Sequence, residues 1–189
     1  MNNKQAAKKL LELKELDQQY RSEWITGGPE IRLLQEEIDK KNLIELLSIV
    51  ESIGWPTIPK VGEEAAYAAI LIAQHSRDID TSVKLLEMAK KLFDEDKSNI
   101  DGKRLANWID AMNMQRGIPQ IYGQYFLDRG EGYEIYEIEK PEELAKRREE
   151  MGLETLEERL HRVLSEYPPE HKITILKSYK RIFGKEFKK

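Results

Sequence analysis

Ala65-Ala66-Tyr67-Ala68-Ala69-Ile70-Leu71-Ile72-Ala73 contains no charged residue. A run of this length is far too short to span a bilayer. A helix that is apolar on every side must be buried on every side, so the run predicts the central helix of the core. Glu63 and Glu64 fall in its first turn, where the helix dipole favours acid. Gln74-His75 falls at its end. Upstream, Gly54 suits a helix C-terminus, with Trp55-Pro56 directly after it. Thr57-Ile58-Pro59 should be extended, because residues before proline avoid the α region.

Further towards the N-terminus, Leu10, Leu13, Leu16 and Tyr20 recur at helical spacing and predict a first helix over about Lys4–Trp24. Thr26-Gly27-Gly28-Pro29 ends it, and Pro29 starts a second helix. Its apolar residues are Ile31, Leu34, Ile38, Leu43, Leu46, Leu47, Val50 and Ile53, with a bend expected at Asp39-Lys40-Lys41-Asn42. Downstream, Asp80 or Thr81 should cap a fourth helix carrying Val83, Leu86, Met88, Ala89, Leu92 and Phe93. A fifth follows around Leu105, Trp108, Ile109 and Met112.

After Gly117 the texture changes. Ile121–Phe126 and Tyr133–Ile138 are rich in Tyr, Ile and Phe around a Gly-containing loop, which predicts a β-hairpin within about residues 119–138. Pro141-Glu142-Glu143, Leu153–Tyr167 and Ile173–Phe187 each predict one more helix. The expected fold is therefore mostly α, a single helical domain with one inserted hairpin. The hairpin should pack across the end of the Ala65–Ala73 helix, since two strands alone do not hold together in water. The organisation reads as a domain over 1–167 and a basic amphipathic C-terminal helix over 168–189, docked on it.

Charge sharpens that last division. The 189 residues carry a formal net charge of -4, with 31 Lys+Arg, 35 Asp+Glu, 3 His and no Cys. Between Lys172 and Lys189 seven basic residues face one acid, a net +6, which leaves -10 on the rest. Such a helix suits an acidic protein partner, or docks on its own acidic body. The acidic total argues against nucleic acid as a partner. Zero Cys removes disulfides, thiolate metal sites and thiol nucleophiles. The N-terminal sequence has no apolar h-region, and a cytoplasmic location is the expectation.

The strings Leu16-Asp17-Gln18 with Arg21, Gly54-Trp55-Pro56 with Gly62, Gln74-His75, Pro119-Gln120-Ile121-Tyr122-Gly123-Gln124, and Arg147-Arg148 with Gly152-Leu153 carry a resemblance. In this order and spacing the chain resembles an uncharacterised bacterial family known only as a domain of unknown function, from about Leu10 to Leu160. The resemblance implies a shared fold and supplies no activity. The chain departs from the family pattern at Arg77 and at Asp110-Ala111.

Three constellations carry the chemistry. His75 at a helix C-terminus, with Asp78 to orient its ring, offers a general acid or base. It reads alternatively as a histidine that caps helix carbonyls, held by Gln74 and Asp78. Gln120, Tyr122 and Gln124 share one face if they lie on a strand and would present a polar recognition row. Gly123 between them predicts close approach by a ligand or a Trp ring. Arg147 and Arg148 offer guanidinium forks for an anion, although adjacent helical residues do not share a face. Trp55 and Trp108 read as core or as pocket walls. Together Gln74, His75, Gln120, Tyr122, Gln124, Arg147 and Arg148 could line a cleft for a small polar or anionic ligand, with His75 and Asp78 as catalytic groups. No phosphate loop, dinucleotide fingerprint, HExxH or GxSxG is present, so neither a metal nor a cofactor is expected.

Overall fold

The computed structural model describes residues 1–23, 26–128, 130, 132–166 and 168–187. Trp24 in the expected first helix, Tyr167 at the end of the helix expected over Leu153–Tyr167, and Lys188 and Lys189 of the tail lie outside the described residues. The fold is mostly helical with one antiparallel hairpin. The chain divides into two compact units, Met1–Leu105 and Ala106–Lys189.

The first unit contains α1 (Asn3–Gln18), α2 (Gly28–Ile53), the short α3 (Ile58–Val61), α4 (Glu63–His75) and α5 (Ile79–Glu95). The boundary falls inside α6 (Gly102–Gln115). The apolar run lies in α4, which packs against α1, α2, α3 and α5. Seven of its residues are buried, with Tyr67 and Leu71 half-buried. The small side chains on α4 allow close helix approach, and each large one it buries contributes about 1.5–3 kcal/mol. Trp55 is buried.

Three details differ from expectation. α1 buries Ala6, Leu10, Leu13 and Asp17, while Leu16 is 46% exposed. The core stripe therefore runs through positions 6, 10, 13 and 17 and ends on a carboxylate. α2 is continuous through Asp39–Asn42, and its N-terminal half buries Gln35, Asp39 and Asn42 in place of Ile31, Leu34 and Ile38. These three follow i, i+4, i+7 spacing, so one polar stripe faces inward. Ile58-Pro59 opens the turn of α3 instead of staying extended, with Thr57 as its extended cap.

The second unit holds the hairpin of β1 (Phe126–Asp128) and β2 (Tyr133–Ile135), then α7 (Leu144–Glu150), α8 (Leu156–Glu166) and α9 (Pro169–Phe183). Phe126 pairs with Ile135 and Asp128 with Tyr133. The hairpin is covered within its own unit by α9. Ile135, Ile138, Leu144, Leu156, Leu160, Val163, Ile175 and Tyr179 form one apolar cluster. The basic helix thus places Ile175 and Tyr179 in a core, and Ser178 Oγ accepts from the Ile135 N–H at 3.0 Å.

Candidate functional site

In the first unit Asp17, at the end of the α1 stripe, joins the polar stripe of α2 to the C-terminus of α4. The Asp17 carboxylate is fully buried. His75 Nδ1 lies 2.9 Å from each of its oxygens. Arg21 Nη2 donates to Asp17 Oδ1 at 3.1 Å and also bonds Asp39. Gln35 Nε2 donates to the Asp17 carbonyl at 3.0 Å and to Asp39 Oδ1 at 2.9 Å. Asn42 Nδ2 donates to the Leu13 carbonyl at 3.0 Å. The buried amides of α2 thus serve α1 backbone and one carboxylate, which is why a polar stripe can be interior.

Burial would raise the Asp17 carboxyl, but the hydrogen bond and charge of His75, with Arg21 beside it, hold it below the ordinary carboxylate value. Asp39 goes the other way. Burial raises it, and Gln35 and Arg21 offset only part of that. An ionised Asp17 can only accept, so His75 Nδ1 carries the hydrogen. When the ring is neutral, this tautomer presents Nε2 as a lone pair. No described residue bonds Nε2, and the His75 side chain is 24% exposed. A carboxylate that fixes the tautomer and a partly exposed ring are what a proton acceptor requires.

Asp78 does not take the role expected for it. Its side chain caps α5, accepting from Thr81 N at 3.0 Å and Thr81 Oγ1 at 2.7 Å. The carboxylate on His75 is Asp17, 58 residues away in sequence. Its signal was positional: Asp17 continues the 6, 10, 13 stripe of α1. Gln74 is half-buried and precedes His75 on α4.

The remaining candidates lie in the second unit. Residues 120–124 are not a strand, so no alternating row forms. They wrap the buried Asp110, whose oxygens accept from the backbone of Ile121 (2.7 Å), Tyr122 (3.0 Å) and Gln124 (3.0 Å). Gln120 is buried and bridges its own loop, donating to the carbonyls of Tyr125 and Tyr136 and accepting from Tyr125 N. Its backbone pairs beside Ile138. Arg147 donates to the carbonyls of Glu139 and Lys140. Arg148 is buried and donates to the carbonyls of Tyr122 and Glu154. Arg159, which sequence reasoning passed over, holds the Gln124 carbonyl at 2.9 Å. Gly123 has φ +69°, and a Cβ there would meet Ile138, Leu156 and Arg148. The close approach is therefore made by core side chains and a guanidinium, not by a Trp ring. Trp108 is buried.

Among the described residues no group of three or more His, Cys, Asp or Glu is placed to hold a metal ion, and no helix is long and apolar enough to cross a membrane.

These features define a mostly helical protein with a buried carboxylate–imidazole pair tied to a guanidinium. The chain belongs to the family of unknown function DUF6624, which matches residues 5–170. Comparison with curated proteins and with solved structures finds no match.

Proposed function

We propose that the first unit binds a small polar ligand at His75, with Nε2 accepting a proton or a hydrogen bond from it. The observation that carries this reading is the Asp17–His75 pair, in which Nδ1 is engaged and Nε2 has no partner among the described residues. A histidine that merely capped carbonyls would spend its hydrogen on backbone. This one spends it on a buried carboxylate, the arrangement that fixes the tautomer and orients the ring. Gln74 and Arg21 are the neighbouring polar groups.

Gln120, Tyr122, Gln124 and Arg147 enter this reading only as the framework of the second unit, because their groups are bonded to loop backbone or donate it. The alternative, a protein-interaction module built on the basic helix, has less to support it. Ile175 and Tyr179 of α9 are buried, and Lys180, Arg181 and Lys185 pair with Glu186, Glu134 and Glu157. The apolar face of the helix is therefore already occupied, and what it offers a partner is exposed charge alone.

A thermal-shift screen of polar metabolites on the full chain and on His75→Gln tests the reading. At least one compound should raise the melting temperature of the natural chain and leave His75→Gln unmoved. A screen with no shift, or a shift that survives in His75→Gln, overturns it.

A further inference from the structure

The second unit contains a cleft of about 550 Å³, within the range of small-molecule sites. Leu144, Leu156, Ile182 and Phe183 give it an apolar lining, and Arg148 and Lys185 are its cationic residues. Arg148 is 1% exposed. Its Nε and Nη1 are satisfied by the neutral carbonyls of Glu154 and Tyr122. Its Nη2 is buried with no acceptor. No carboxylate bonds this guanidinium among the described residues.

Glu154, Asp110 and Glu157 act on the Arg148 charge from beyond hydrogen-bond range, and its hydrogen bonds go to neutral carbonyls alone among the described residues. A buried guanidinium without a directly bonded anion is an incomplete arrangement, because buried charges are ordinarily paired. Burial, with Arg159 nearby, lowers the Arg148 pKa to about 10, so the group is still charged at neutral pH. The polar imbalance around it has one sign. Among the described residues Gln124 Nε2 and Arg159 Nε are also buried donors without an acceptor. A region short of acceptors calls for a group that only accepts, and a carboxylate does so in the planar geometry a guanidinium matches. Glu142 and Glu157 also line the cleft, but the first is exposed and bonds no guanidinium among the described residues, and the second is already engaged. The Glu157 carboxylate accepts from Tyr179 Oη at 2.7 Å and pairs with Lys185 at 3.6 Å.

We infer that this cleft binds a monocarboxylate with an apolar tail, its head on Arg148 Nη2 and its tail along Leu144, Leu156 and Phe183. This site is separate from His75 and does not depend on the reading given there.

The test titrates octanoate into the full chain, with octan-1-ol as the uncharged control of equal tail. Arg148→Lys removes Nη2, but it also removes bonds to two carbonyls and can impair folding. Ala145→Trp is therefore the second variant. Ala145 is exposed and lines the cleft, so an indole there occupies the cleft while every core side chain is retained. Octanoate should bind and raise the melting temperature, with octanol at least ~10-fold weaker, the worth of one charge-assisted hydrogen bond. Ala145→Trp should lose the effect and His75→Gln should keep it. No octanoate binding, equal binding of octanol, or undiminished binding by Ala145→Trp overturns the proposal. Loss in His75→Gln would assign the carboxylate to the other site and overturn it as well.

Discussion

Asp17 and Asp110 are both fully buried carboxylates on helices, and the two units use them in opposite ways. Asp110 accepts from the main chain, at Ile121, Tyr122 and Gln124, and organises a loop. Asp17 accepts from side chains, an imidazole and a guanidinium, and its imidazole reaches the surface. A carboxylate satisfied by backbone is spent on structure. One satisfied by a titratable side chain can pass its charge outward. The kind of donor, rather than the depth of burial, separates a structural acid from a candidate functional one.

The largest effect should come from the structural member. Asp110→Ala strands the backbone donors it holds in a buried site and should cost about 3–5 kcal/mol by urea denaturation. A loss below ~1 kcal/mol would break the comparison, because the loop would then hold itself. Asp17→Asn should cost less, about 2–3 kcal/mol, since Arg21 keeps Asp39 and His75 keeps access to water.

The pH dependence sharpens the same contrast within the first unit. The Asp17 carboxyl lies below its ordinary value of 3.8, so its contribution is complete above that value and is lost as pH falls through the lower folded value. The natural chain should therefore show an acid limb of destabilisation that Asp17→Asn flattens. Asp39 is raised, so its contribution is present below the ordinary value and lost as pH rises through the folded one. Its charged form is thus a mild liability at neutral pH. Asp39→Asn should change stability at pH 7 by no more than ~1 kcal/mol, the smallest effect of the three. A larger loss for Asp39→Asn than for Asp17→Asn would reverse the assignment of the essential carboxylate.

How far these features were legible follows from what each depends on. The helix at 63–75 was plain because a run apolar on all sides has one solution. The first helix was legible as an element but not in register. Leu16 and Asp17 are adjacent, and preferring the apolar one put the core stripe a residue off, with Leu16 on the surface. The α2 interior was hidden for the same reason: Gln35, Asp39 and Asn42 look like surface until partners on α1 are in place. His75 stands out through its rarity, whereas its carboxylate is 58 residues away, and the nearby Asp78 is committed by local geometry to capping α5. The polar row failed because Asp110 draws three backbone N–H groups of the 120–124 segment to itself, which a strand could not allow. Long-range polar pairing leaves little trace in local periodicity, so the framework was legible and the site's wiring was not.

The central claim is that Asp17 holds the hydrogen of His75 on Nδ1 and leaves Nε2 as the accepting atom. Long-range ¹⁵N–¹H correlation of the imidazole in the neutral ring measures this directly. The account predicts the Nδ1–H tautomer in the natural chain, with that preference lost in Asp17→Asn. A ring protonated on Nε2 in the natural chain, or a tautomer indifferent to Asp17→Asn, would contradict it.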